Sequence, residues 1–385
     1  MNYFEITRLL QKGDKTLFDI PIEEQKSFLN KLGSAKNIID RGYKQYLCQI
    51  KYSPAIKVFV FNIISALIFP VVLVYYLVKG IYIKKDDKVD AILEKKGMNE
   101  VLPTIITDNY QLNEDCWNIG SSLALRDLGF VFSLIEKNIF HPYFAFKVMM
   151  NLTFYSYMIR KKAPRAIIQF GEFSFSRSTL TEYCHRNNVR HINIQHGEKL
   201  FYMRDAYFCF DECYVWDKYY VDLFTALNAE VSQFIIALPN SLKINTIEHS
   251  NKSVYADYKY YLAANSEEEI ASIVESMAFV KIKGGTVKFR PHPRYTNMKI
   301  LRKYVSDHDI ESVSKVSILE SVANLQYAVG SYSTVLLQAF FSGKRVVMDD
   351  VTYKTQYEQL NDLMYFLSKQ QHLKLSVLQA KTTNL

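Results

Sequence analysis

Glycine and proline are both scarce in this 385-residue chain, at 13 and 9 residues. So few turn formers exclude collagen-like, linker-like and low-complexity architectures. Cysteine is sparse too: five residues, an odd count, and no CxxC. That argues against a zinc ribbon, a thioredoxin-like site and a disulfide framework, and it suits a reducing compartment. Cys209 and Cys213 stand four apart with no His pair beside them, which reads as buried thiols and leaves no metal site. GxGxxG, GxxxxGK[ST], GxSxG and HExxH are all missing. Their absence disfavours a dinucleotide fold, a P-loop NTPase, an α/β-hydrolase and a zincin. No carboxylate spacing singles out a glycosidase pair. Helix-turn-helix spacing, zinc fingers, an RNA-binding sheet signature and long Lys/Arg runs are also missing, so nucleic acid is not an expected partner. The first twenty residues lack the basic start, apolar middle and small-residue cleavage site of a secretory signal.

What is present is hydrophobic bulk: 49% apolar, 14% aromatic and 22% charged residues. That composition folds, and at roughly 100–200 residues per domain it forms about two or three units. The net charge is +8, and residues 1–100 hold 16 Lys/Arg against 11 Asp/Glu. Most of the excess surrounds residues 58–78, VFVFNIISALIFPVVLVYYLV, an uncharged run flanked by Lys57, Lys79, Lys84, Lys85 and Lys88. A hydrocarbon core needs about 20 apolar residues of helix. Tyr75, Tyr76 and Tyr82 cluster near one end, where amphipathic rings favour an interface. Pro70 interrupts the middle, so a kinked span, a shallow segment and a buried core helix all fit. The expectation is a membrane-associated protein on the cytoplasmic face of the inner membrane. Basic clusters on both sides leave the orientation open.

The chain divides by texture. Residues 1–100 read as a helical N-terminal region, with short amphipathic helices at 22–32 and 35–50 and a charged connector at 84–100. From 101 onward short β-rich runs alternate with helical patterns, which predicts parallel α/β sheets. Strands are expected at 101–107, 166–170, 191–195, 212–216 and 233–237, then at 258–263, 286–290, 327–329 and 345–348. The predicted fold class is α/β: two Rossmann-like parallel-sheet domains, 101–210 and 211–375, facing a cleft, with a loose tail at 376–385. In such sheets ligands bind beyond the C-terminal strand ends.

Three constellations sit there. Gln195-His196-Gly197-Glu198-Lys199 follows strand 191–195. An imidazole titrating near neutrality at His196 can take a proton from an alcohol, and Glu198 can orient it or act as the base itself. Arg290-Pro291-His292-Pro293-Arg294 follows strand 286–290. Its prolines hold His292 in a rigid turn between two guanidinium forks suited to phosphate. Gly330-Ser331-Tyr332-Ser333-Thr334 follows strand 327–329 and opens a helix. Hydroxyls and free amides at a helix start make an anion site, although Ser333 and Thr334 also suit plain capping. Gln338 lies one turn further and is placed to reach a ribose hydroxyl. Glu172, after strand 166–170, is a reserve base or acceptor-sugar ligand. Asp108 and Asn109, after strand 101–107, are candidates for the acceptor side or an Asx-rich turn, and Lys199 joins them on the acceptor side.

The order of these motifs, HG then HP then S-x-S-T, resembles a group of bacterial GT-B transferases that build surface polysaccharides. The group includes capsule Kdo transferases, bacterial sialyl- and polysialyltransferases, and teichoic-acid polyol-phosphate polymerases. The resemblance covers roughly residues 101–370 and is sharpest at 194–200, 288–294 and 329–347. It implies a GT-B-like architecture, with the N-terminal domain taking the acceptor and the C-terminal domain the donor. The implied donor is CMP- or CDP-activated, and transfer is inverting, with no metal and no bound cofactor required. By the same resemblance His292, Ser333 and Thr334 hold donor phosphate. Sialyltransferases place an acidic pair before Gly where this chain has Gln195-His196-Gly197. That departure is closer to the polyol-phosphate polymerases, whose HG histidine is the proposed base.

The resulting expectation is an inverting, membrane-associated glycosyltransferase of capsule, O-antigen or lipooligosaccharide assembly. A CMP-linked nonulosonate, Kdo or a sialic-like acid, is the first donor and a CDP-polyol the second. The partners are a nucleotide sugar, a glycan or lipid-linked acceptor, the membrane surface and other polysaccharide-assembly proteins. An inactive membrane scaffold of the same fold is the non-enzyme alternative. The sugar, the linkage and the acceptor are not legible.

Overall fold

Short runs of β-branched and aromatic residues, apolar on both faces, are what a parallel sheet covered by helices requires. Ala166–Gln169 is such a run, and all four residues are buried. In the computed structural model, which describes residues 17–94, 101–113, 120–195 and 197–383, these runs form two sheets. The first contains β1 (Ala91–Leu93), β2 (Leu112–Asn113), β3 (Ala166–Gln169), β4 (Arg190–Ile194), β5 (Glu212–Val215) and β6 (Phe234–Ile236). Its order is β2-β1-β3-β4-β5-β6, parallel throughout, with Ile167 opposite His191 and Ile192 opposite Glu212. The second contains β7 (Ala256–Tyr261), β8 (Val287–Arg290), β9 (Leu325–Gly330), β10 (Arg345–Met348) and β11 (Leu373–Lys374). It is also parallel, ordered β11-β10-β9-β7-β8.

Both sheets are thus wound the same way. The first strand of each has the second on one side and the third on the other, which puts a topological switch point between β1 and β3 and between β7 and β9. The chain packs as two units. The first runs to Leu238 apart from Gly197–Leu200, and the second is Pro239–Leu385 together with Gly197–Leu200. The division therefore falls after β6, not at the expected 210/211, because β5 and β6 extend the first sheet.

The N-terminal helices belong to the first unit. Helix Ile22–Leu32 is tied in by Gln25, whose Oε1 accepts from the Met203 amide at 2.8 Å. Helix Ile38–Ile50 starts on the Asn37 cap and buries Tyr46 against Phe144 and Phe175. The apolar run lies within helix Ala55–Lys79, which packs along Pro142–Lys162, the central helix of this unit's core.

Three sequence expectations change. The predicted strand 101–107 is replaced by helix Thr104–Asn109, and the sheet's first strand is β1, hidden in the stretch read as a charged connector. Asp90 and Glu94 bracket β1, yet its three residues are buried. The tail expected to be loose is helix Leu375–Thr383 over the described residues. Asp350 accepts the Ser376 amide at 3.0 Å and its hydroxyl at 2.6 Å, and Gln379 donates to the Ser276 carbonyl at 2.7 Å, which docks this helix on the second unit.

Candidate functional site

The second unit builds its site from three strand ends. β8 stops at Pro291, which has no amide to continue the ladder. The turn that follows is pinned from both sides. His292 N donates to Thr296 Oγ1 at 2.8 Å, and that hydroxyl donates to the Ala263 carbonyl beyond β7 at 2.9 Å. The Arg294 amide donates to His292 Nδ1 at 3.1 Å, and Tyr295 stacks on the imidazole at 4.4 Å between centroids. An accepting Nδ1 puts the ring proton on Nε2. Partial burial, then the charge of Arg294, hold the His292 pKa below the ordinary histidine value. His292 is therefore a neutral Nε2–H donor at pH 7, fixed in orientation.

β9 ends at Gly330, and helix Thr334–Phe341 begins four residues later. Ser333 caps it, with Oγ accepting from the Val335 amide at 3.2 Å. Ser331 is half-buried and Thr334 exposed, and neither hydroxyl has a hydrogen-bond partner among the described residues. Arg294 is exposed and has no ion pair among the described residues. The buried Tyr365 ring packs on Tyr332 at 5.3 Å. A second helix start opens nearby: Glu267–Ile282 follows β7. Its first turn carries Glu267, Glu268 and Glu269, whereas that of Thr334–Phe341 carries no acid. Only the latter suits an anion.

Two expected donor ligands are otherwise engaged. Arg290 is buried, with Nη1 2.6 Å from Glu311 Oε2 and Nη2 donating to the Val316 carbonyl at 2.9 Å. Lys259 Nζ approaches the other Glu311 oxygen at 2.6 Å, and Ser321 donates to Oε2 at 2.5 Å. Burial alone would raise the Glu311 pKa, but Lys259, Ser321 and Arg290 outweigh it and hold the carboxyl below its usual range. Arg290 thus braces the 311–316 loop and is a positioning residue. Gln338 donates to the Ser241 carbonyl at 3.0 Å, so its amide is turned to the 240–242 turn and not to a ribose.

In the first unit most polar groups at the C-terminal strand edge pair with one another among the described residues. Glu172 is buried, its Oε2 accepting from Asn193 Nδ2 at 3.2 Å and its carbonyl from Gln45 at 2.6 Å. Asn193 Oδ1 accepts the Gly171 amide at 2.6 Å. A Cβ at Gly171 would come within 2.9 Å of Gln169 Oε1 and 3.2 Å of Arg177 Cδ, so a larger residue there would make those side chains shift. Gln195 receives the Trp216 amide at 3.3 Å and its indole N–H at 3.2 Å. His196 lies outside the described residues. Glu198 accepts from the Phe366 amide at 3.4 Å, and Lys199 is buried; both group with the second unit. Asp108 and Asn109 belong at the other end of the sheet. Helix Thr104–Asn109 returns the chain to the N-terminal strand edge, where Asn109 lines a groove with Arg165, Arg190 and Glu212. They are not on the edge that carries Glu172.

Sequence reasoning missed three charged groups in this unit. Glu94, at the end of β1, pairs with Arg177 at the switch point. Lys147 is buried against the Tyr143 and Phe175 rings, and burial, with Arg177 nearby, lowers its pKa to about 7. Only the recognition of β1 would have drawn attention to Glu94, and a lysine on the buried face of helix Pro142–Lys162 was the available signal for Lys147.

No family model and no curated protein matches the sequence. Among solved structures the chain is similar to a glycotransferase of kitacinnamycin, with TM-score 0.44, 9% identity, and coverage of 79% of this chain and 91% of that one. It is similar to UDP-GlcNAc 2-epimerase from Methanocaldococcus jannaschii, with TM-score 0.43, 10% identity, and coverage of 78% and 92%. It is similar also to the wall teichoic acid polymerase TagF, with TM-score 0.39, 9% identity, and coverage of 77% and 79%.

Proposed function

We propose that this chain is a nucleotide-sugar-dependent transferase of the surface-polysaccharide type, working at a membrane surface on a glycan or lipid-linked acceptor. The observation that carries the reading is the strand edge of the second unit. There a neutral His292 Nε2–H, Arg294 and the hydroxyls of Ser331 and Thr334, which have no partner among the described residues, and an acid-free helix start occupy the ends of β8 and β9. Four donors of that kind match the oxygens of a nucleotide phosphate.

In the reaction, an acceptor hydroxyl attacks the anomeric carbon of the donor sugar. The new C–O bond forms as the bond from that carbon to the phosphate oxygen breaks, and the electron pair leaves on phosphate. Arg294 and His292 stabilise that charge with the helix start, an electrostatic contribution that dominates many transfers. The hydroxyl proton goes to a base, for which His196 is the first assignment. Glu172 is buried with one carboxylate oxygen held by Asn193, and Glu198 accepts from the Phe366 amide. A CMP-linked nonulosonate remains the first donor on the HP motif and the Ser/Thr pair, and a CDP-polyol the second on the HG motif.

Thermal-shift measurement with CMP, CDP, UDP and GDP tests the donor class, because a ligand that binds the folded state raises apparent stability. Stabilisation by a cytidine nucleotide, followed by donor-dependent transfer that His292→Ala and His196→Ala each strongly impair, is the expected result. Wild-type turnover in both variants would remove the site assignment. No nucleotide binding, with co-purification of other assembly proteins, would instead favour a scaffold.

A further inference from the structure

The apolar helix Ala55–Lys79 settles on the first unit by a narrow stripe. Phe61, Ser65, Phe69, Val72, Leu73, Tyr76 and Leu77 turn toward the protein, at helical spacing along almost the whole length. Polar ties fix both ends. Asn62 Oδ1 accepts from the Tyr143 amide at 3.1 Å, the Tyr76 carbonyl from the Leu123 amide at 2.9 Å, and the Gly80 carbonyl from Arg160 at 2.9 Å. The polar residues of the run, Asn62 and Ser65, both face inward. The rest of the circumference is open and apolar: Ile56, Phe59, Ile63, Leu67, Val71 and Val78, with Leu67 70% and Val71 71% exposed.

A soluble helix with this much bare apolar surface lacks an environment. The environment must also be one that asks for no hydrogen bonds, since the outward face offers almost none, whereas a protein interface carries about one per 100–200 Å². Lysines stand at both ends, with Lys84, Lys85 and Lys88 exposed beside the C-terminal end and Lys51 before the N-terminal one. Tyr75 and Tyr82 are exposed at the same C-terminal end. Large apolar side chains are also exposed on neighbouring segments of this unit. Phe140 is 88% exposed just before the Tyr143 tie, and Leu125 is 76% exposed just after the Leu123 tie. Phe132 is exposed on helix Leu128–Lys137, which also packs on Pro142–Lys162.

We infer that this face lies in one leaflet of an anionic membrane, with helix Ala55–Lys79 parallel to the bilayer plane. The inference deepens the membrane-surface part of the function proposed above. The docked stripe decides the orientation. A helix crossing the bilayer would carry the middle of its partner Pro142–Lys162 into the hydrocarbon with it, including Lys147, Asn151 and Ser156 and the sheet behind them. Lying flat, it immerses only what is already bare, and its lysines reach the headgroups. Pro70 also fits: it leaves the Ala66 carbonyl without its intrahelical donor, which headgroup-level water can satisfy.

The test uses the full chain with phosphatidylglycerol and phosphatidylcholine vesicles. Single Phe59→Trp, Leu67→Trp and Val78→Trp variants are quenched by lipids brominated either near the glycerol end or near the methyl end of the acyl chain, with the parent protein's signal subtracted. The expected result is flotation with phosphatidylglycerol, weakened by salt, and shallow quenching of equal depth at all three positions. A doubly charged variant, Leu67→Glu with Val71→Glu, should lower vesicle partition by about a hundredfold, since two large apolar side chains are lost from lipid. It should leave the circular-dichroism melting curve unchanged. Deep quenching at Leu67 with shallow quenching at the two ends would mean a spanning helix and overturn the inference. Absence of flotation, or a dimer in light scattering that the double variant dissolves, would assign the face to protein and overturn it too. Nucleotide thermal shifts on the same variants read the donor site separately, so failure of one reading is distinguishable from failure of the other.

Discussion

The two units wind their sheets in the same order, yet they finish their C-terminal edges differently. In the first, most polar groups at the strand ends pair with one another among the described residues: Glu172 with Asn193, Asn193 with Gly171, Gln195 with Trp216, and Glu94 with Arg177, although Gln169 Oε1 is left without a partner. In the second, the inner layer is also closed, around Glu311, but the outer layer is left open at His292, Arg294, Ser331 and Thr334. Buried polar groups must pair within the protein, whereas half-exposed donors can wait for a ligand. The contrast separates bracing from binding: Arg290 and Arg294 are four residues apart and do different work.

The strongest way to break that contrast is to attack the brace. Glu311→Gln leaves Lys259 and Arg290 as two buried cations without their carboxylate, and should cost about 3–5 kcal/mol. Denaturant unfolding measures it, and a loss within error of zero would mean the network is not the brace described. Next comes the open layer. His292→Ala should reduce turnover by about a hundredfold, the usual scale for one lost donor to a developing charge. Its melting temperature should stay put, because Nδ1 accepts only one backbone amide there. An equal loss of stability would move His292 from the binding layer to the bracing one.

A third test uses pH on the closed unit. His191 is buried between Tyr155, Gln169 and Thr181, and burial, then the charges of Arg177 and His185, lower its pKa to about 3 from 6.5. The unfolded chain binds the extra proton in that window, so stability is full above pH 6.5 and falls as pH drops toward 3. The slope from this one group is about 1.4 kcal/mol per pH unit. His191→Gln should flatten the acid limb, and an unchanged limb would show that other groups control it. The smallest effect belongs to the helix start. Ser333→Ala should cost about 1 kcal/mol through the lost cap. Thr334→Ala should leave stability unchanged and weaken nucleotide binding only.

Much of the architecture was written locally. Strands β3, β4, β7, β8 and β10 follow from short β-rich runs, and helix Glu267–Ile282 has a local start in the Ser266/Glu269 capping box that the structure contains. The HP turn was readable because two prolines restrict it whatever surrounds them. β1 was not readable, since three apolar residues between Asp90 and Glu94 carry no periodicity. They become a strand only by pairing with Leu112–Asn113 and with Ala166–Gln169, far along the chain. The helix Leu375–Thr383 was not readable either, because its anchor Asp350 lies 26 residues upstream of Ser376.

The bare helix shows the same division. By itself the sequence determined that residues 58–78 are apolar enough for lipid and long enough to cross it, because hydropathy and length are local properties. It also determined which residue types stand after the strands. Only the tertiary structure decided that the helix is docked along one side, that Arg290 turns inward to Glu311, and that Asp108 and Asn109 belong to the opposite strand edge. Those outcomes depend on which distant segment a side chain meets, and such a meeting is set by the packing of the whole unit, not by any neighbour in sequence.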